Sequence, residues 1–490
     1  MTTPTTATTT DPAVAIHETH TGIVILIGDR AFKIKKPILT DFLDFRTVES
    51  RQRVCAREVA LNSRLAPDSY LGVAQLDCPG KDSPEPVVVI RRYPDRYRLR
   101  SMIERGEPTE QHLTSLAGLL ADFHSRAERS PDVDRCATVS MIEQRWQANL
   151  AELQHHSSAV VTAAQVEEIS RLATRYIAGR SALFTTRITE GRIVDGHGDL
   201  MADDIFCCPE GPVPLDCLEF DDRLRYVDGI DDAAFLAMDL EFLGRPDLAD
   251  QFLDAYRAAA GDRTAPRSLA HFYIAYRAVV RAKVDCIRFG QGQPGADRDA
   301  KRHLDIALNH LQVATVRMIL VGGGPGTGKT TLATKLAESI DAEIISMDSV
   351  RRELQSCGAI TGSVGTLNTG LYSHENVAQV YETALERAGR ALQNGRPVIL
   401  DGTWRDASQR RNARALAGRA SAVIVELVCC TDLSQAEDRI QTRGPGPSDA
   451  TPQIARDITE HPWHGAVTID TGRPLAESIA EALQICCSAI

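Results

Sequence analysis

From Gly22 the pattern of apolar and polar positions is that of a hairpin. The run Ile23-Val24-Ile25-Leu26-Ile27 meets a Gly28-Asp29 turn, and apolar and basic residues then alternate through Arg30-Ala31-Phe32-Lys33-Ile34-Lys35. A polar helix is predicted over about Val48 to Leu65, ending near Pro67, and a strand over Val87 to Ile90 leads into Arg91-Arg92-Tyr93-Pro94. The chain to about Gly290 then reads as mostly helical, with one exception. In that block Gly196-His197-Gly198-Asp199-Leu200 precedes two short apolar stretches, Ile205-Phe206 and Val213 to Leu215, which bracket a Pro/Gly turn. Asp199 and Asp216 therefore flank a small hairpin and can converge. The cluster Gln291-Gly292-Gln293-Pro294-Gly295 is the strongest breaker in the chain, and a helix over about Asp297 to Val313 follows it. Beyond residue 314 apolar strands recur at 316–321, 343–348, 397–403, 422–427 and 467–470 with helical stretches between them. That is the pattern of a parallel sheet wound with helices.

The first strand of that second half runs directly into Gly323-Gly324-Pro325-Gly326-Thr327-Gly328-Lys329-Thr330, a complete G-x-x-x-x-G-K-[ST] phosphate-binding loop with Thr331 next in line. Glycines let consecutive backbone N–H groups turn inward around an anion, and the helix that follows adds the positive end of its dipole. Lys329 is expected to reach the β/γ-phosphates and Thr330 to hold Mg²⁺. Ligands of such sheets bind beyond the strand carboxyl ends, so Asp348 and Asp401, each placed at the end of a strand, point to the same crevice as Lys329. In the first half the pair Asp199 and Asp216 is what phosphoryl transfer requires. One carboxylate orients and deprotonates the acceptor hydroxyl while the other holds Mg²⁺ on the nucleotide phosphates.

Composition narrows the function classes. At 490 residues two or three domains are expected, and 43% hydrophobic with 25% charged residues is ordinary for globular protein. A net charge of −11 speaks against a broad nucleic-acid or anionic-membrane surface. The twelve cysteines form no C-x-x-C and no zinc-like Cys/His set, so they read as buried thiols of a reducing compartment. Residues 1–14 form a Thr-rich tail without basic flank or apolar core, expected to be disordered, and no run is long and apolar enough to span a bilayer. A cytoplasmic location is expected, with no nucleic-acid or membrane partner. The helix around Ala270 to Phe289 carries Tyr273, Arg277, Arg281 and Arg288 at helical spacing, a basic stripe. This stripe either faces an acceptor cleft, binding an anionic or polyhydroxyl compound, or is a solvated face or a bridge to the second half.

Hairpin, helix, strand and extended connector follow one another as in a kinase small lobe, and His197-Gly198-Asp199-Leu200 with Asp216 resembles the catalytic core of aminoglycoside phosphotransferase-like kinases. The resemblance covers about residues 15–290. It implies Asp199 as catalytic base, Asp216 as metal ligand, Lys33 as the lysine on the α/β-phosphates and Glu58 as its helix partner. Lys35 shares the strand face with Lys33. Asp232 resembles a structural aspartate of the family. Where the family has a metal-binding asparagine this chain has Asp204, whose oxygen still suits Mg²⁺ but adds negative charge. The basic stripe does not resemble the carboxylate-rich pocket suited to a polycationic aminoglycoside.

The second half, about residues 316–490, resembles small P-loop kinases grouped with zeta toxins, gluconate kinases and polynucleotide kinases. That likeness implies Asp348 as the acceptor-side acid, Arg351 as an anion-binding neighbour and Asp401 as the acid near Mg²⁺. It also implies a mobile lid carrying Arg439 and Arg443, which closes over the phosphates, with Gly444-Pro445-Gly446-Pro447 as its breaker. An N-K-x-D motif is absent and the half is short for a motor ATPase, so those readings are weaker. Both halves together resemble a bacterial family of predicted bifunctional kinases. The expected fold is a bilobal α+β kinase-like domain (15–290), a linker with a connecting helix (291–313) and an α/β P-loop domain (314–490). The expected function is ATP- and Mg²⁺-dependent transfer of a γ-phosphoryl group, by each of two modules, to a hydroxyl of a small-molecule acceptor. The alternative is a nucleotide-gated regulatory protein with a degenerate kinase-like half and a P-loop ATPase switch.

Overall fold

The computed structural model describes residues 14–18, 22–39, 44–77, 83–155, 160–363, 369–442 and 463–490. The chain forms two compact units, each drawn from separate stretches: 1–141, 187–264 and 276–306 in the first, 142–186, 265–275 and 307–490 in the second.

The first unit opens with an antiparallel sheet of β1 (Val14–Glu18), β2 (Gly22–Ile27), β3 (Arg30–Lys35), β4 (Tyr70–Leu76) and β5 (Glu85–Arg91), in the order β1-β2-β3-β5-β4. The expected hairpin is β2 and β3, with Lys33 opposite Val24 and the turn made by Gly28 at φ 58°. Two of its neighbours escape the sequence reading. Residue 14, placed in the tail, starts β1 and pairs with Ile27, while residues 1–13 lie outside the described residues. β4 carries a register shift at Tyr70/Gly72 and four exposed positions, so it offers no clean alternation of apolar residues. The helix Val48–Asn62 is shorter than expected. Thr47 caps it by accepting from the Ser50 N–H at 3.1 Å. Its inward face is unusually polar: Arg51, bonded to both Glu85 oxygens, and the fully buried Glu58.

The remainder of the unit is helical apart from two small pairs, β6 (Ile193–Asp195) with β9 (Tyr226–Asp228), and β7 (Ile205–Cys208) with β8 (Gly211–Pro214). The second pair is the hairpin anticipated between Asp199 and Asp216. The helix Gly229–Phe242 is buried nearly throughout, which fixes Asp231, Asp232 and Asp239 deep in the unit.

The second unit is built on a parallel sheet of β10 (Arg317–Gly322), β11 (Glu343–Ser346), β12 (Val398–Asp401), β13 (Val423–Cys430) and β14 (Val467–Asp470), ordered β11-β12-β10-β13-β14. Its core joins Ile319, Val321, Ile399 and Leu427 of the sheet to Leu332 and Leu336 of the helix Lys329–Ile340. Strand β11 stops two residues earlier than the sequence pattern suggests. The backbone turns at Ser346 and a helix begins at Met347, so Asp348 sits in a first helical turn, where the dipole favours an anion, and not at a strand end. Helical segments from earlier in the chain complete this unit. The buried Arg180 guanidinium donates to the carbonyls of Gly179, Leu392 and Ala420, Tyr176 stacks on Phe272, and the Ser268 hydroxyl donates to the Gly395 carbonyl. Among the described residues no helix is long and apolar enough to cross a membrane.

Candidate active sites

In the first unit the extended backbone of β3 places Lys33 and Lys35 on one face. Both reach Glu58, Lys33 at 2.9 Å and Lys35 at 2.7 Å. They part beyond it: Lys33 contacts Asp216 at 2.5 Å, whereas Lys35 contacts Glu219 at 2.5 Å. The two lysines thus differ in their second partner. Only Lys33 joins the helix glutamate to the aspartate expected to bind metal. Burial works against its charge, yet Asp216, Glu58 and Glu219 keep the ammonium protonated well above the usual lysine range. Glu219 escapes the sequence reading; its signal is its place three residues after Asp216 in Asp216-Cys217-Leu218-Glu219.

Asp216 lies in the left-handed region at φ 63°, uncommon for a residue with a side chain, and its N–H donates to the Tyr70 hydroxyl at 3.1 Å. The turn carrying Asp199 is held from below. Asp232 accepts the His197 and Gly198 N–H groups at 2.7 and 2.8 Å, and its other neighbour is His124 Nε2 at 2.9 Å. His197 Nε2 lies 3.0 Å from the Leu215 carbonyl, which ties the turn to the end of the β7–β8 hairpin. These contacts hold the backbone of the turn in place. Burial pushes the Asp199 carboxyl up to about 6, opposed by Arg281 and Arg277 and reinforced by Asp216 and Asp239. A base in that range is ionised at neutral pH and still basic enough to take a proton. Burial, then Asp216, Asp199 and Asp203, drive Asp204 well above the usual carboxylate range.

These oxygens fit a divalent cation. Asp204, Asp199 and Asp216 form a cluster of mutually repelling carboxylates that such an ion would neutralise, and their hard oxygens suit Mg²⁺. No group of three or more His, Cys, Asp or Glu among the described residues forms a ready metal cage. Mg²⁺ on a nucleotide characteristically takes only one or two carboxylates and completes its shell with phosphate oxygens and water.

The second unit builds its site from backbone. After β10 the chain turns through Gly323 (φ 134°), Gly326 (φ 77°) and Gly328 (φ 81°). A Cβ on Gly323 would lie 2.5 Å from the Cys429 carbonyl oxygen, and one on Gly326 would lie 2.3 Å from that of Ala436, so the loop closes only with glycine. Lys329 opens the helix and its ammonium donates to the Gly324 carbonyl at 2.7 Å, folded over the loop. The Thr330 hydroxyl donates to Asp401 at 2.7 Å, which brings the expected Mg²⁺ pair together. Burial raises the Asp401 carboxyl; Thr330 and Lys329 oppose the shift and Asp348 adds to it. Asp348 accepts from Arg351 at 2.5 Å, and Arg351 stacks on Tyr372. Arg439, on the helix Leu433–Thr442, donates to the Thr471 carbonyl at 2.8 Å and lies against Gly328, so it stands beside the phosphate loop. Arg443 and the breaker expected after it lie outside the described residues. Sequence reading missed Thr471, whose hydroxyl lies 2.6 Å from the Thr327 carbonyl and 2.8 Å from that of Cys430. It also missed Trp404, buried at φ 50° and bonded through its indole N–H to Leu400. That strained turn supports the segment after Asp401.

Among curated proteins the chain is 53% identical over 484 residues to proteins of Mycobacterium tuberculosis and Mycobacterium bovis described as uncharacterized, with 98% of this chain and 97% of each relative covered. A family described as AAA domain matches residues 318–459. Among solved structures, a choline/ethanolamine kinase family protein from Mesorhizobium loti is 16% identical at TM-score 0.39, covering 62% of this chain and 94% of that one. A gluconokinase from Sinorhizobium meliloti is 20% identical at TM-score 0.27, covering 35% of this chain and 91% of that one.

Proposed function

The chain belongs to the family of these mycobacterial proteins, and from that premise we propose that it is an ATP-dependent phosphotransferase with two sites, each passing a γ-phosphoryl group to a hydroxyl of a small molecule. The observation that carries this reading is Lys33 held between Glu58 and Asp216, with Asp216 in turn acting by charge on the raised Asp199. A lysine in that setting is built to receive phosphate oxygens, and a merely structural ion pair would have no need of the converging acids.

In the first unit Lys33, oriented by Glu58, binds the nucleotide phosphates, and Asp216 and Asp204 would hold Mg²⁺. Asp199 accepts the proton of the acceptor hydroxyl as its oxygen attacks the γ-phosphorus; the bond to the bridging β-γ oxygen breaks and ADP leaves. In the second unit the amides of residues 323–330 cradle the phosphates, Lys329 reaches over them, and Thr330 with Asp401 would hold the cation. Asp348 orients the acceptor hydroxyl, with Arg351 fixing its carboxylate, and Arg439 stands where charge develops on the transferred group. Bound Mg²⁺ supplies neutralisation of phosphate charge in both sites. A cytoplasmic location and the absence of a nucleic-acid partner remain parts of this reading, supported by the acidic composition.

The test is ATP turnover with Mg²⁺ in a small-molecule extract of the source cells, with products followed by mass spectrometry. Asp199→Asn and Lys329→Ala are each expected to remove a different phosphorylated product. Asp204 favours a second reading, in which the first half is a degenerate nucleotide-binding module regulated by the P-loop half, because its charge crowds the metal position. Unchanged products in Asp199→Asn, with all turnover lost in Lys329→Ala, would select that second reading.

A further inference from the structure

The basic stripe on the helix Arg267–Gly290 has one arginine, Arg281, that acts on Asp199 and Asp239 by charge and yet leaves a buried nitrogen unbonded. Arg277 is 4% exposed; its Nε donates to Asp231 at 2.7 Å and its Nη1 approaches the Gly198 carbonyl at 3.4 Å, one residue before Asp199. Arg288 is paired with Asp285 and bonded to Gln293. Arg281 lies one helical turn after Arg277 on the same face. Its Nε and the Nη2 of Arg277 are buried without a hydrogen-bond partner among the described residues, and Arg281 makes no ion pair with any of them. A buried guanidinium nitrogen left unbonded is costly, and such groups persist where a ligand completes them.

The surrounding acids are accounted for. Asp231 holds Arg277, Asp203 holds Arg100 at 2.5 Å, and Asp239 accepts the Ala202 N–H at 2.8 Å. Asp199, Asp204 and Asp216 have the duties of base and metal ligands. What stays open beside the base is a pair of cationic donors, the unbonded Nε of Arg281 and Nη2 of Arg277. Resting on the kinase reading of this unit, we infer that Arg281, with the free Nη2 of Arg277, forms an anion-binding subsite for the acceptor, which is an alcohol carrying a carboxylate or phosphate. A guanidinium suits such a group because its fork of N–H donors matches two oxygens at once. The acceptor hydroxyl then lies at Asp199 while its anionic end is anchored about one helical turn away.

The experiment uses the full chain carrying Lys329→Ala, so that transfer reports the first unit alone. Phosphoryl transfer from ATP is measured to anionic alcohols (D-glycerate, gluconate, glycerol 3-phosphate), neutral ones (glycerol, glucose) and cationic ones (choline, ethanolamine). An anionic acceptor is expected to be preferred. Arg281→Gln is expected to raise its KM by about 10- to 100-fold, the worth of a charge-assisted hydrogen bond, with kcat changed less than threefold in alkaline buffer, where Asp199 stays ionised without the opposing charge of Arg281, and Arg281→Lys is expected to recover part of the loss. Melting curves check that both variants stay folded. Asp199-dependent transfer that favours neutral or cationic acceptors and ignores Arg281→Gln overturns the subsite and leaves the kinase standing. If no acceptor gains phosphate in an Asp199-dependent way, the kinase reading of this unit fails. Calorimetric binding of D-glycerate in the presence of a non-hydrolysable ATP analogue then decides the subsite: Arg281-dependent binding upholds it, and absence of binding overturns it.

Discussion

The two phosphate sites meet the same electrostatic demand with different materials. In the first unit the groups that would face a nucleotide are side chains: the buried Glu58, Lys33 paired with it and with Asp216, and Asp204, whose charge Asp216 repels. In the second unit they are largely backbone amides, arranged by three glycines at positive φ, with Lys329 folded onto the loop it serves. A side-chain site invests charge in the interior and couples catalysis to stability. A backbone site places its donors through conformation, so its weak point is the space and the φ angles that only glycine tolerates. The same chemistry should therefore fail in different ways when each site is damaged.

The largest expected effect is on the chemical step. Asp199→Asn should slow transfer at the first site by about 10²–10⁴-fold and leave the product of the P-loop site unchanged, read as two products in one mass-spectrometric assay. In the wild type, transfer at the first site should fall as pH drops below about 6, where Asp199 becomes protonated. Stability should move the other way. A carboxyl whose folded pKa is raised contributes stability that is complete below its unfolded value and lost as pH rises through the folded one. Asp199→Asn escapes that loss, so at pH 7.5 it should melt above wild type, and the gap should close toward pH 4. A lower melting point at pH 7.5 would refute the view of Asp199 as a charge held at a cost for catalysis.

Next in size is the glycine loop. Gly326→Ala forces a Cβ to within 2.3 Å of the Ala436 carbonyl oxygen at φ 77°, so the loop must open. ATP binding at the second site is expected to weaken by at least about 100-fold, on the scale of losing several backbone donors to phosphate, while binding at the first site persists. Titration with a fluorescent ATP analogue, in Lys33→Ala and wild-type backgrounds, separates the two.

The contrast in materials also explains what the sequence disclosed. Glycines at fixed spacing before Lys329-Thr330 are a conformational requirement written in consecutive residues, and the loop, its strand and its helix were all legible. Asp401 followed because every parallel strand delivers its carboxyl end to the same edge. The first site is assembled from residues far apart in the chain, so local pattern pointed to Asp199 and Asp216, while the choice of Lys33 rested on the family likeness because strand alternation alone does not set it apart from Lys35. What separates them is a partner 183 residues away, a contact no local spacing encodes. β1 and β4 were missed because edge strands need bury only one face, or neither, and so leave a faint alternation. Asp348 was set at a strand end because the apolar run continues through Met347, which serves the following helix instead.

The smaller effects sharpen the comparison through folding alone. Lys33→Ala removes a partner from the fully buried Glu58 and should cost about 2–3 kcal/mol, below the full penalty for a broken buried pair because Lys35 still holds the carboxylate. Lys329→Ala removes a part-buried ammonium that donates to a carbonyl of its own loop and acts by charge on Asp401, and should cost less, about 1 kcal/mol. Urea unfolding of both variants, each unit followed by its own hydrogen-exchange protection, measures the difference. Equal costs would mean that the two lysines are embedded alike and that the division into side-chain and backbone sites is superficial. Gly28→Ala supplies the baseline. It too sits at positive φ, 58°, but a Cβ there meets nothing within 4 Å, so it should cost only about 1–2 kcal/mol of local strain and spare ATP binding at both sites. A loss of binding in Gly28→Ala as deep as in Gly326→Ala would mean that the hairpin turn also grips phosphate through its backbone, and the first site would then have to be classed with the second.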